Sequence, residues 1–139
     1  MSVHIVRLGT SRAPGEGPRL GTVRRPPRGV PKAEFATRNY YDVWYPLLAP
    51  SDEAVGMAHA AKTDAHWKAF ERKYLSEMKA PDASRTIAML AVLSRHADFA
   101  VGCYCADEAR CHRSLLRKLL EESGAHVAPG PARFKAAER

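Results

Sequence analysis

The spacing of apolar residues along this 139-residue chain changes from one segment to the next. Val3-His-Ile-Val-Arg-Leu8 carries β-branched residues at 3, 5 and 6 and stops at Gly9, which predicts a strand. Residues 11–18, Ser-Arg-Ala-Pro-Gly-Glu-Gly-Pro, are turn formers throughout. Arg19–Arg24 predicts a second short strand, and Pro26, Pro27 and Pro31 end it, because each proline removes a ladder donor. Residues 32–46 follow no clean period. Helical spacing then takes over. Ser51 followed by Asp52 and Glu53 marks the start of a short helix to about His59, with a capping hydroxyl and two acids in the positive first turn. Thr63-Asp64 opens a second helix that lines up Trp67, Phe70, Tyr74 and Met78. Pro81-Asp82 opens a third, with Ile87, Leu90, Ala91 and Leu93 toward the core. Residues 98–105 read as a strand whose apolar run lacks polar alternation, as expected when both faces are covered. A last helix runs to Ser123 and closes at Gly124. His126–Ala128 predicts a final short strand, and residues 133–139 a frayed tail.

Short strands separated by helices predict a single α/β domain over residues 1–139, a three-layer α/β/α arrangement with a small, mainly parallel sheet. A hydrophobic content of 45% is enough for a packed core. No apolar stretch reaches the length of a membrane span, and Met-Ser-Val-His-Ile-Val-Arg does not read as a signal peptide. Three clustered cysteines argue for reduced thiols in a cytoplasm rather than a secreted disulfide scaffold. The net charge of +7 is concentrated near the start: residues 1–40 hold eight basic side chains against Glu16 and Glu34. Such a segment attracts a small phosphorylated ligand or nucleic acid.

The chemistry gathers in Cys103-Tyr-Cys-Ala-Asp-Glu-Ala-Arg-Cys111-His112. This loop leaves the carboxyl end of a strand, where open α/β sheets collect ligands, and enters a helix whose first N–H groups are unpaired. Three chemistries fit. Cys105 as nucleophile with Arg110 has a Cys-x4-Arg spacing that resembles the active loop of rhodanese-like sulfurtransferases, although Asp107 and Glu108 inside the loop repel an anion. A zinc site of Cys103, Cys105, Cys111 and His112 has non-standard spacing, and adjacent Cys and His reach one tetrahedral ion with difficulty. Finally, Cys103 deep in the strand suits a buried core position.

Val23-Arg-Arg-Pro-Pro-Arg-Gly29, Lys32, Trp44, Pro50-Ser51 and Trp67-Lys-Ala-Phe70-Glu-Arg-Lys-Tyr74 resemble the YeaO-like family, domain of unknown function 488 (DUF488). Cys105-Ala-Asp-Glu108 followed by Cys111-His112-Arg113 is similar to a signature of the wider family, and the resemblance spans roughly residues 5 to 125. It implies a small cytoplasmic α/β/α domain and supplies no established activity. It also implies that Arg25, Arg28 and Lys32 form a shared basic group lining a pocket.

The expected site is therefore a basic pocket between the 24–32 connector and the cysteine loop. Arg25, Arg28, Lys32, Arg110, His112 and Arg113 bind a small anionic or phosphorylated ligand there, and Cys105 or Cys111 is the candidate nucleophile. Binding and turnover are both consistent with these residues. No metal ligand and no cofactor is assigned, and no membrane partner is expected. The alternative is a nucleic-acid-associated module that uses the N-terminal arginines.

Overall fold

The computed structural model describes residues 1–129, so the expected frayed tail lies outside the described residues. Four strands, β1 (Val3–Arg7), β2 (Arg19–Gly21), β3 (Val43–Trp44) and β4 (Phe99–Cys103), form one sheet in the order β1-β4-β2-β3, and every pairing is parallel. This is the expected α/β class. The most apolar segment, β4, lies in the interior of the sheet and is buried along its whole length. It stops at Cys103, two residues short of the sequence expectation. The two-residue edge strand β3 falls in the segment without a clean period. Of the expected last strand, only Val127 pairs, in an isolated bridge to Val3.

Three of the four helices among the described residues start where Ser51, Thr63 and Pro81 predict, and the last starts after Cys111 without a side-chain cap. The four are α1 (Asp52–Ala60), α2 (Asp64–Glu77), α3 (Pro81–Leu93) and α4 (His112–Glu122). The Ser51 side chain accepts from the Ala54 N–H and that of Thr63 from the His66 N–H, while Pro81 opens α3 without needing an N–H partner. Gly124 takes a φ of 90° just past α4, the left-handed conformation that glycine adopts without a steric penalty.

All four helices contribute to one core, in which Val3, Ile5, Phe99 and Val101 of the sheet join Phe70, Tyr74, Ile87, Leu90, Leu116 and Leu120. Leu93 is exposed, contrary to the sequence expectation. Stepping from Ile87 through Leu90 and Ala91 by helical spacing reaches Ser94, which is fully buried and accepts a hydrogen bond from the His126 N–H. The opposite face of the sheet presents Ala100, Gly102 and Gly21, and is covered by coil rather than by a helix among the described residues. Tyr41 lies so close over Gly21 that a Cβ there would sit 2.3 Å from the ring. Arg19 and Glu16 form a buried ion pair of 2.5 Å beside it.

Candidate functional site

Beyond the carboxyl ends of the strands lies a cavity of about 640 Å³. Arg7 and Leu8 lead into it from β1, Val23 to Arg28 from β2, and Cys103 to Cys105 from β4. Val55, Ala58 and His59 come from α1, Trp67 and Phe70 from α2, and Cys111 and His112 from the start of α4. The basic connector and the cysteine loop thus face one space. Arg25, Arg28, Arg110, Cys105, Cys111 and His112 all line it. Lys32 does not; it borders a separate hollow of about 550 Å³ with Phe35 and Trp44. Arg113 is buried under the loop rather than lining the cavity.

The connector is held in place by its own polar groups. The Arg24 guanidinium donates to the carbonyls of Pro46 (3.2 Å), Ala49 (3.2 Å) and Pro50 (2.9 Å), which ties β2 to the start of α1. Tyr104 Oη donates to the Arg25 carbonyl at 2.8 Å, and Arg25 pairs with Asp52 at 2.8 Å. Across the cavity, Arg110 pairs with Asp64 at 2.9 Å and sits 5.8 Å from the Trp67 ring centre, within cation–π range. Glu108 is engaged by Arg117 at 2.7 Å, and neither Asp107 nor Glu108 lines the cavity. The carboxylates inside the loop therefore do not face the space an anion would occupy.

Cys111 is the N-cap of α4 with an extended backbone (φ −142°, ψ 154°), and His112 is the first helical residue. This change of conformation brings two adjacent side chains together: Cys111 Sγ lies 3.7 Å from His112 Nδ1. Cys103, Cys111 and His112 offer ligand atoms that all lie within 4.8 Å of one another, so adjacency in sequence does not prevent shared coordination. The sulfurs of Cys103 and Cys111 lie in direct contact.

His112 Nε2 lies 2.8 Å from the Thr22 carbonyl. A carbonyl only accepts, so Nε2 carries the proton and the Nδ1 lone pair is left facing Cys111. Burial outweighs the Thr22 hydrogen bond and pulls the His112 pKa down to about 4, so the ring is neutral at neutral pH. Cys105 is the exposed thiol of the three. Hydrogen bonds from Cys103 and then Cys111 overcome the penalty of burial and hold its pKa below that of an ordinary thiol, with the Arg113 charge adding to the effect. Cys103 moves the other way, through its hydrogen bonds to Cys105 and Cys111 and through burial. Cys111 is pushed up to about 11: the Cys103 hydrogen bond lowers it, but the Cys105 interaction and burial prevail. Below Cys105, Arg113 Nη2 donates to the Cys105 carbonyl at 2.6 Å, while the buried Arg113 Nε has no hydrogen-bond partner among the described residues. A negative sulfur at Cys105 supplies a counter-charge beside this buried cation.

Residues 3–124 match the family profile described as the active DUF488-N3 subclade, DUF488-N3a. The chain belongs to the DUF488, or YeaO-like, family. No curated protein and no solved structure matches it. In this DUF488 chain, several cavity residues escape a reading of the sequence. Arg7 sits at the end of β1, directly in register with Cys103, and only the strand order reveals that neighbourhood. Trp67 carries a helical core signal, and it is both core and cavity wall. Arg24 stands out in sequence as one arginine of a basic run, but its bonds to three carbonyls depend on a turn 22 to 26 residues away.

Proposed function

We propose that this DUF488 protein binds a small anionic or phosphorylated ligand in the 640 Å³ cavity and turns it over with the Cys105 thiolate as nucleophile. The observation that carries this reading is that the arginine connector and Cys105 line the same space. Arg25, Arg28 and Arg110 neutralise the ligand, and the first turn of α4 adds backbone N–H donors and a positive dipole end. Cys105 is favoured over Cys111 because it is the exposed thiol and has the depressed pKa. Membership of a subclade described as active supports turnover rather than binding alone.

The nucleic-acid alternative draws less support. Arg12 pairs with Asp42, Arg19 is buried against Glu16, and Arg24 is turned onto backbone carbonyls. Three of the eight basic side chains of residues 1–40 are thus taken up within the fold, and Arg25 and Arg28 line the cavity.

The test is protection. Inorganic phosphate or sulfate should slow iodoacetamide labelling of Cys105, and the double variant Arg25→Ala, Arg28→Ala should lose that protection while still labelling. Equal labelling with and without anion in the wild type contradicts the reading, as does protection that survives the double variant.

A further inference from the structure

The fold brings together, at one wall of the cavity, three donor atoms that the proposed reaction does not use. Cys103 ends β4, Cys111 caps α4 and His112 begins it, and their two sulfurs and one ring nitrogen all lie within 4.8 Å of one another. The sulfurs touch, and Cys111 Sγ is 3.7 Å from His112 Nδ1. Cys105, the exposed thiol, is not a member of this trio.

His112 is oriented as metal-bound histidines are. Its Nε2 donates to the Thr22 carbonyl at 2.8 Å, which fixes the tautomer and leaves the Nδ1 lone pair on the side of the sulfurs. Thr22 is fully buried, so water does not compete for that hydrogen bond. The Tyr74 ring, tilted and 5.4 Å away, packs beside the imidazole. Buried Leu8, Val23 and Tyr41 cluster with the two cysteines. An apolar shell of this kind limits the access of water to a bound ion. One side stays open: all three residues also line the cavity, which gives an ion its entry path.

We propose that Cys103, Cys111 and His112 form a binding site for a soft monovalent metal ion, copper(I), in the wall of the cavity. Two features choose the ion. Thiolate sulfur and imidazole nitrogen suit copper(I), whereas magnesium, calcium and manganese call for oxygen ligands. Zinc shares the affinity for sulfur and nitrogen but takes four ligands. Only three donors meet here among the described residues, with no carboxylate in the group, so zinc would have to draw a fourth ligand from the cavity. Three soft donors are sufficient for copper(I). The exchange balances: the ion enters as copper(I), the two thiols release their protons to solvent, and no electron is transferred. Binding of the ion does not require that Cys105 act as a nucleophile.

The experiment is an anaerobic titration of the reduced 139-residue chain with copper(I) against bathocuproine disulfonate, a coloured competitor, followed by X-ray absorption at the copper edge. Wild type should hold one equivalent against the competitor, with two sulfur neighbours and one nitrogen. Cys105→Ser should hold the same equivalent with the same neighbours. Cys103→Ser and Cys111→Ser, each checked for a native circular dichroism spectrum, should give it up. His112→Phe should keep both sulfurs, lose the nitrogen and bind at least about tenfold more weakly. Wild type unfolded in urea should also give up the ion, because the trio exists only in the fold. Should a serine variant fail to fold, the neighbours seen in wild type and in Cys105→Ser decide the matter. Complete loss of copper from wild type to the competitor overturns the proposal, as does loss from Cys105→Ser. Retention at the wild-type level by folded Cys103→Ser or Cys111→Ser, or by the urea-unfolded chain, overturns it too. A wild-type site with sulfur neighbours alone removes His112 from it and refutes the assigned trio. A full equivalent of zinc bound in preference to copper(I) overturns the choice of ion.

Discussion

Glu16→Gln removes the negative partner of an arginine that is only 1% exposed. In the native protein Arg19 Nε donates to Glu16 at 2.5 Å, Nη1 to the Asn39 carbonyl at 2.6 Å and Nη2 to the Ser11 carbonyl at 3.2 Å. Glutamine keeps an acceptor oxygen and the two carbonyls remain, so the loss is one charge rather than every hydrogen bond. Breaking a buried pair costs about 3–5 kcal/mol, and the retained acceptors put this variant near 3 kcal/mol. With an unfolding entropy of about 2.1 cal/mol/K per residue, a chain of this size loses roughly 10 °C in Tm. The effect carries a pH signature. Burial raises the Glu16 carboxyl, but the Arg19 hydrogen bond, the Ala13 N–H and the Arg19 charge outweigh it and hold the folded pKa below 4.5. A depressed folded pKa gives stability that is complete above the unfolded value and is lost as the pH falls through the folded one. Thermal unfolding of both proteins by circular dichroism from pH 3 to pH 8 measures this directly. The gap should be full at neutral pH and close progressively in acid below about 4.5. A Tm within about 2 °C of wild type at pH 7, or a gap that persists unchanged in acid, refutes the argument.

Gly21→Ala drives a Cβ to 2.3 Å from the buried Tyr41 ring, and urea unfolding should report a loss of at least about 1–3 kcal/mol, the usual cost of overpacking. A neutral effect means that Tyr41 moves without penalty. With Cys103, Cys105 and Cys111 as free thiols, protein purified without chelators should carry well under one zinc per chain by elemental analysis. A full equivalent of zinc held by Cys103, Cys111 and His112 contradicts that state.

Local signals make most of the framework legible. Ser51, Thr63 and Pro81 set the helix starts, and the unbroken run in β4 marks its burial on both faces. Two-residue β3 escapes because Val43 and Trp44 are exposed on a sheet edge, which leaves no alternation to read. Leu93 misleads because an apolar residue at the end of a helix looks inward in sequence, while helical spacing turns Ser94 inward instead. At the site, the cysteine loop identifies itself by density of reactive groups. Its relation to the connector depends on β2 lying next to β4, a non-local pairing that no spacing along the chain encodes. The same limit applies to Lys32 and Arg113. Each belongs to a basic run, yet one turns to the second hollow and the other is buried under Cys105. The closeness of Cys111 and His112 to each other is set by the break from extended to helical backbone at the cap, a geometric detail that residue spacing does not carry.

The central claim is that Cys105 is a thiolate inside the arginine-lined cavity at neutral pH. Its iodoacetamide labelling rate as a function of pH, followed in the wild type by fragment-resolved mass spectrometry of the 96–110 peptide, separates label on Cys105 from label on Cys103. Iodoacetamide reacts with thiolate, so a pKa held well below the ordinary value of about 8.5 predicts a rate that is nearly flat from pH 6 to pH 8. A rate that climbs roughly tenfold per pH unit across that range, as for a free thiol, contradicts the account.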